Sequence, residues 1–133
     1  MFIVLPTVAA FSFYSLGWLA NANAKSASIE ARWAELHPAL RLALGAARLA
    51  DQSFVVTEIG RTPATYERMG MHQPRHSMHY TQSDGWVHAV DLRTLGRSAV
   101  RNHAIQIYFE LMGFDTLRHR GTADQLHVAM LRP

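Results

Sequence analysis

The chain has 133 residues, a formal net charge of +3 with neutral histidines, and no cysteine. That length suits one domain with a modest core and is too short for two. Without thiols there is neither a disulfide framework nor a thiolate metal site, so any metal must rest on His, Asp or Glu. Eight histidines are many for this length and raise the expectation of a metal or acid–base site. The pI of about 9.8 suits an anionic partner, although the positive excess is small and not gathered into a block. No groove-reading motif is present, so nucleic acid is not expected as a partner.

Residues 1–24 carry no charged side chain, and the stretch from Phe2 to Ala20 is almost wholly apolar. A bilayer span takes ~20 apolar residues, so this segment is only just long enough. Ala22-Asn23-Ala24 has the small-x-small pattern of an export cleavage site, yet the basic flank of an export signal is missing. Three readings stay open: an uncleaved membrane anchor, an export signal, or a buried N-terminal helix. Either of the first two makes the protein exported or membrane-anchored, with residues 25–133 as its functional domain.

Apolar residues at spacings of three and four predict a helix over 26–50, through Leu36, Leu40, Leu44 and Ala47. Phe54 to Glu58 is a β-branched run and reads as a strand. Thr62-Pro63 supplies an N-cap and a first-turn proline for a short helix over Ala64 to Met69, stopped by Gly70. Residues 70–85 are rich in His, Ser and Gln and read as irregular. Val87 to Leu92 is the next strand, and Ser98 caps a helix running to Met112 and ended by Gly113. Phe114 to Arg118 and Gln125 to Leu131 close the chain as two strands around a turn at Gly121. This order predicts an α+β fold, a small mainly antiparallel sheet with helices packed against it.

The chemistry-bearing residues fall in Ser77-Met78-His79, His88-Ala89-Val90-Asp91-Leu92 and Asp124-Gln125-Leu126-His127. Two imidazoles and a carboxylate can build an open three-ligand zinc site, and zinc brings the pKa of its water down toward ~7. A nearby carboxylate takes the proton as that water attacks a carbonyl and passes it to the leaving amine. Asp124 is the candidate for that base. Side chains alternate across a strand, so His88 faces away from Asp91 and leaves the set. Asp124 and His127 also oppose one another if both lie in strand; a turn ending near Gln125 would let Asp124 swing toward the metal. Taken singly, each residue has a plainer reading. His79 can be a loop histidine, His127 a satisfied core histidine, Asp91 and Asp124 turn residues, and Arg61 a solvated charge.

Taken together, Val56-Thr57-Glu58-Ile59-Gly60-Arg61-Thr62, Ser77-x-His79, Ala89-Val90-Asp91-Leu92 and Asp124-x-x-His127 resemble the D-Ala-D-Ala carboxypeptidase and L-alanyl-D-glutamate endopeptidase family. These are zinc peptidases that share a fold with the hedgehog signalling domain. Leu36-His37-Pro38-Ala39-Leu40 is similar to the helix opening of the phage endolysin members. The resemblance covers about Leu36 to Met130. It implies that His79, Asp91 and His127 hold Zn²⁺ and that Asp124 is the general base. It also implies that Arg61 binds substrate and stabilises the oxyanion, and that Ser77 is a hydroxyl behind the ligands or against the substrate. The implied substrate is the peptidoglycan stem peptide. One departure stands out: His79 and Asp91 are twelve residues apart, and Val87 occupies the family's glycine position two before the alanine. An insertion around Thr81 to Trp86 accounts for the spacing and supplies a possible substrate rim.

Overall fold

The structure, a computed structural model, describes residues 7–11, 24–121 and 123–131. Residues 7–11 are helical and belong to α1. The long helix expected over 26–50 is instead three pieces: α2 (Ala27–Ala31), a 3₁₀ turn (Trp33–Glu35) and α3 (Pro38–Ala50). Proline causes the break. Pro38 has no N–H to give the preceding turn and drives His37 out of the helical region, to ψ 136°. Leu36 takes the extended conformation and bridges to Val87, while the His37 ring caps α3 by accepting from the Ala39 N–H.

The later elements fall close to their expected places. Strand β1 is the shorter Val56–Glu58, and α4 (Pro63–Arg68) starts at a capping box between Thr62 and Thr65. Strand β2 (Ala89–Arg93) follows the irregular stretch, and α5 (Ala99–Leu111) begins at the Ser98 cap. Gly113, at φ 89°, makes the turn into β3 (Phe114–His119), and β4 (Gln125–Met130) ends the described chain. The architecture is α+β: an open, four-stranded antiparallel sheet in the order β1-β2-β4-β3, with five helices among the described residues.

Alternation along β2 and β4 gives the sheet two different faces. Val90 and Leu92 pair with Val128 and Leu126, and these four point at Leu40 and Leu44 of α3 and at Ile105 and Phe109 of α5. Complete burial of each such side chain contributes about 1.5–3 kcal/mol, so this face carries much of the stability. The other face carries Asp91 opposite His127 and Arg93 opposite Gln125. The stretch between β1 and β2 supplies Arg61 and His79 to that second face. At the sheet edge, Ala24 bridges to Val56 and the Lys25 N–H donates to the Val56 carbonyl at 2.8 Å.

Among the described residues no helix is long and apolar enough to cross a membrane. The anchor or export reading of residues 1–24 falls almost wholly on 1–6 and 12–23, which lie outside the described residues.

Candidate metal centre

Direct strand pairing puts Asp91 and His127 side by side, since facing Cβ atoms in a sheet sit about 4.5–5.5 Å apart. His127 Nδ1 lies 2.7 Å from Asp91 Oδ1. His79 arrives from the loop, with Nε2 3.3 Å from Asp91 Oδ1 and 3.3 Å from His127 Nδ1. These three residues form one of two groups among the described residues whose donor atoms could share an ion.

The triangle they make has the size a metal needs. Tetrahedral zinc with bonds of about 2.0–2.1 Å separates its ligand atoms by ~3.3 Å. Two of the three edges match that spacing, and the third, at 2.7 Å, opens by a small side-chain adjustment. The protonation pattern fits as well. His79 Nδ1 lies 2.5 Å from the Ile59 carbonyl oxygen, which can only accept, so that nitrogen carries the proton. On a neutral ring, Nε2 then turns its lone pair toward a carboxylate oxygen. Without an ion, a proton on His127 Nδ1 bridges to Asp91 Oδ1; an ion in place of that proton would meet three acceptor atoms. A carbonyl bonded to the non-coordinating ring nitrogen is also the usual way a protein orients a metal-binding histidine.

Asp91 is the buried pivot, with only 1% of its surface exposed. Burial raises its carboxyl pKa, but the hydrogen bond with His127 and the neighbouring His79 outweigh burial and hold it well below the usual carboxylate range. Its second oxygen, Oδ2, accepts from Arg61 Nη2 at 3.2 Å and from Gln125 Nε2 at 3.2 Å. Burial works against the Arg61 charge, and Tyr66, Asp91 and Glu58 overcome it, so its pKa sits above the ordinary value. Arg61 Nε is 3.3 Å from Glu58 Oε2, an ion pair whose angle makes no hydrogen bond. Ser77 bonds Tyr66 Oη through its hydroxyl at 2.9 Å and accepts the His79 backbone N–H at 3.2 Å, which steadies the turn presenting His79. Gly60 leaves room for the Arg32 guanidinium, which donates to its carbonyl and grips the Ile59–Arg61 stretch.

His79, Asp91 and His127 thus converge, with Arg61 and Ser77 against them, and Asp124 does not join the group. It stands one residue before β4 and its Oδ1 accepts from the Thr94 hydroxyl and from Arg118 Nε at 2.9 Å and Nη2 at 2.7 Å. Those hydrogen bonds, Thr94 first, lower its pKa. Arg118 pairs with Leu126, whose side chain faces the core, so Asp124 is held on the helix side of the sheet. Asp124 does end a turn, as expected, but that turn swings the carboxylate away from Asp91 rather than toward it. Gln125 and Tyr66 are site residues that sequence reasoning passed over. Strand periodicity was signal enough for Gln125, which lies two residues from His127 on the same face.

The second group is His37, Asp84 and His88. His88 Nε2 is 2.7 Å from Asp84 Oδ2, and the His37 and His88 rings meet edge-on with centroids 5.1 Å apart. Burial, then the neighbouring His88, moves the His37 imidazole below its ordinary pKa. His37 Nδ1 accepts the Ala39 N–H at 3.1 Å, so the neutral ring carries its proton on Nε2. That is the opposite tautomer to His79.

No protein-family model matches the chain, and neither a curated protein nor a solved structure gives a significant match.

Proposed function

We propose that the protein is a zinc-dependent peptidase acting on peptidoglycan stem peptides, built on a hedgehog-like variant of the α+β fold. The observation that carries this reading is the convergence of His79 Nε2, Asp91 Oδ1 and His127 Nδ1, with two of its three edges at tetrahedral spacing. The ordered motifs from Val56 to His127 add the substrate class by resemblance. An ion with three protein ligands and an open position supplies Lewis acidity and an activated water.

The chain's own residues would do the rest. His127 is the most open of the three, its side chain 24% exposed against 5% for His79 and 1% for Asp91, so substrate reaches the centre from its side. Arg61 takes the oxyanion role that the resemblance assigns, and its bond to Oδ2 also keeps Asp91 turned toward the imidazoles. Asp124 serves as base only on release from Thr94 and Arg118 and a swing from the helix side of the sheet to the face of Asp91. A basic chain suits an acidic wall polymer, and an anchor or export role for residues 1–24 would bring the domain to it.

The alternative is a metal- or peptide-binding module of the same fold without catalysis, and the Arg118–Asp124 bond favours it. Two substitutions separate the readings. If Asp124 is the base, Asp124→Asn abolishes stem-peptide hydrolysis with zinc retained, whereas Arg118→Met, which removes one of the two partners holding the carboxylate, keeps hydrolysis or raises it. A wild-type protein that binds zinc but cleaves no stem peptide identifies the binding module. Wild type that cleaves, with Asp124→Asn retaining the rate, removes Asp124 from the mechanism.

A further inference from the structure

The two oxygens of Asp91 are treated differently. Oδ1 faces both imidazoles, while Oδ2 accepts from Arg61 Nη2 and Gln125 Nε2, each at 3.2 Å. A carboxylate so held cannot turn both oxygens to one ion without giving up two hydrogen bonds. We infer that Gln125 is a positioning residue which, with Arg61, restricts Asp91 to one-oxygen ligation and thereby fits the centre to a small four-coordinate cation. This rests on the metal reading above and extends it to which metal is taken and by what device.

The chemistry follows from the donor count. One carboxylate oxygen and two imidazole nitrogens fill three corners of a tetrahedron and leave one open, the arrangement of catalytic zinc. Calcium takes six to eight oxygens, commonly with a two-oxygen carboxylate, and magnesium demands a near-octahedral oxygen shell. Neither suits a centre with two imidazoles and one restrained oxygen. Gln125 owes its place to the sheet: it lies two residues before His127, on the same face of β4, where it pairs with Arg93 next to Asp91. Its amide donates, and it adds no charge that would compete with the Arg61 guanidinium.

The experiment compares the full chain with Gln125→Met and Gln125→Glu. Dissociation constants for Zn²⁺ and Co²⁺ are measured by chelator competition near neutral pH, with Ca²⁺ and Mg²⁺ as further cations. The cobalt absorption spectrum reports coordination number, a readout that a merely structural role for Gln125 leaves unmoved. Loss of an outer hydrogen-bond partner commonly weakens metal binding about 10–100-fold. Gln125→Met is expected to lose zinc affinity on that scale, with weaker cobalt bands as Asp91 turns both oxygens to the ion. Gln125→Glu keeps the size of the side chain, so it reads the hydrogen bond even if the apolar variant folds poorly. Its carboxylate repels Oδ2, and zinc affinity falls again. Unchanged zinc affinity and cobalt spectrum in Gln125→Glu overturn the inference while leaving the metal centre standing. A wild-type chain that takes up no zinc overturns the centre and the inference together.

Discussion

Two clusters in this molecule have the same composition, two histidines and an aspartate, and opposite chemistry. At His79–Asp91–His127 the carboxylate is buried and has a donor on each flank of its second oxygen, and the His79 proton is parked on a backbone carbonyl. At His37–Asp84–His88 the aspartate is exposed, and the proton of neutral His37 sits on Nε2 because Nδ1 is busy capping α3. Arg41, one turn further along α3, adds a cation that works on His37 there. Residue types alone do not make a metal centre. What decides is where the second nitrogen of each ring and the second oxygen of the carboxylate are spent. On the proposed reading the first cluster is the one that takes the ion, and the second acts as a hydrogen-bonded clasp between the start of α3 and the loop around Asp84.

The largest effect that can break this comparison comes from neutralising each aspartate. Asp91→Asn is expected to abolish stoichiometric zinc and to cost about 3 kcal/mol, the low end for breaking a buried ion pair because Glu58 still faces Arg61. Asp84→Asn is expected to leave zinc at one ion per chain and to change stability by less than about 0.5 kcal/mol, as surface substitutions usually do. Chemical denaturation and elemental analysis check both. If Asp84→Asn lowers the zinc content, the two clusters are alike and the tautomer argument fails.

A somewhat smaller effect is the gain from zinc itself. At a hundredfold excess over Kd, zinc should stabilise wild type by about 2.7 kcal/mol. His88→Ala should show the same gain, because the ion belongs to the other cluster. The smallest effect is the response to acid in zinc-free protein. The Asp91 carboxyl is depressed in the folded chain, so its contribution to stability is complete above the unfolded value of about 3.9 and is lost as the pH falls through the folded value. The stability gap between wild type and Asp91→Asn should narrow as the pH falls below about 4. A gap that widens below about pH 4 would show that Asp91 is not stabilised as a carboxylate.

Much of this was legible in the residues. Caps and stops at Thr62-Pro63, Ser98 and Gly113 placed two helices within about two residues, because those signals are local. The three candidate ligands, which the fold brings together, were legible from type and order along the chain. The break at Pro38 was missed because the apolar spacing of Leu36, Leu40 and Leu44 continues across it, although a proline two residues inside that spacing forbids one unbroken helix. The direction of the Asp124 carboxylate was not legible for a different reason. Where its carboxylate turns depends on Arg118, a partner on the next strand, and strand pairing is tertiary information. Gln125 was overlooked because a glutamine bears no chemistry of its own; its role exists only through the oxygen it holds.

The most direct measurement is zinc-edge anomalous diffraction from crystals grown with one equivalent of zinc. The account predicts a single strong peak within about 2.0–2.2 Å of His79 Nε2, Asp91 Oδ1 and His127 Nδ1, with Asp91 Oδ2 still on Arg61 and Gln125. A peak at His37–Asp84–His88 instead, or His127 still bonded directly to Asp91 with no peak between them, would contradict it.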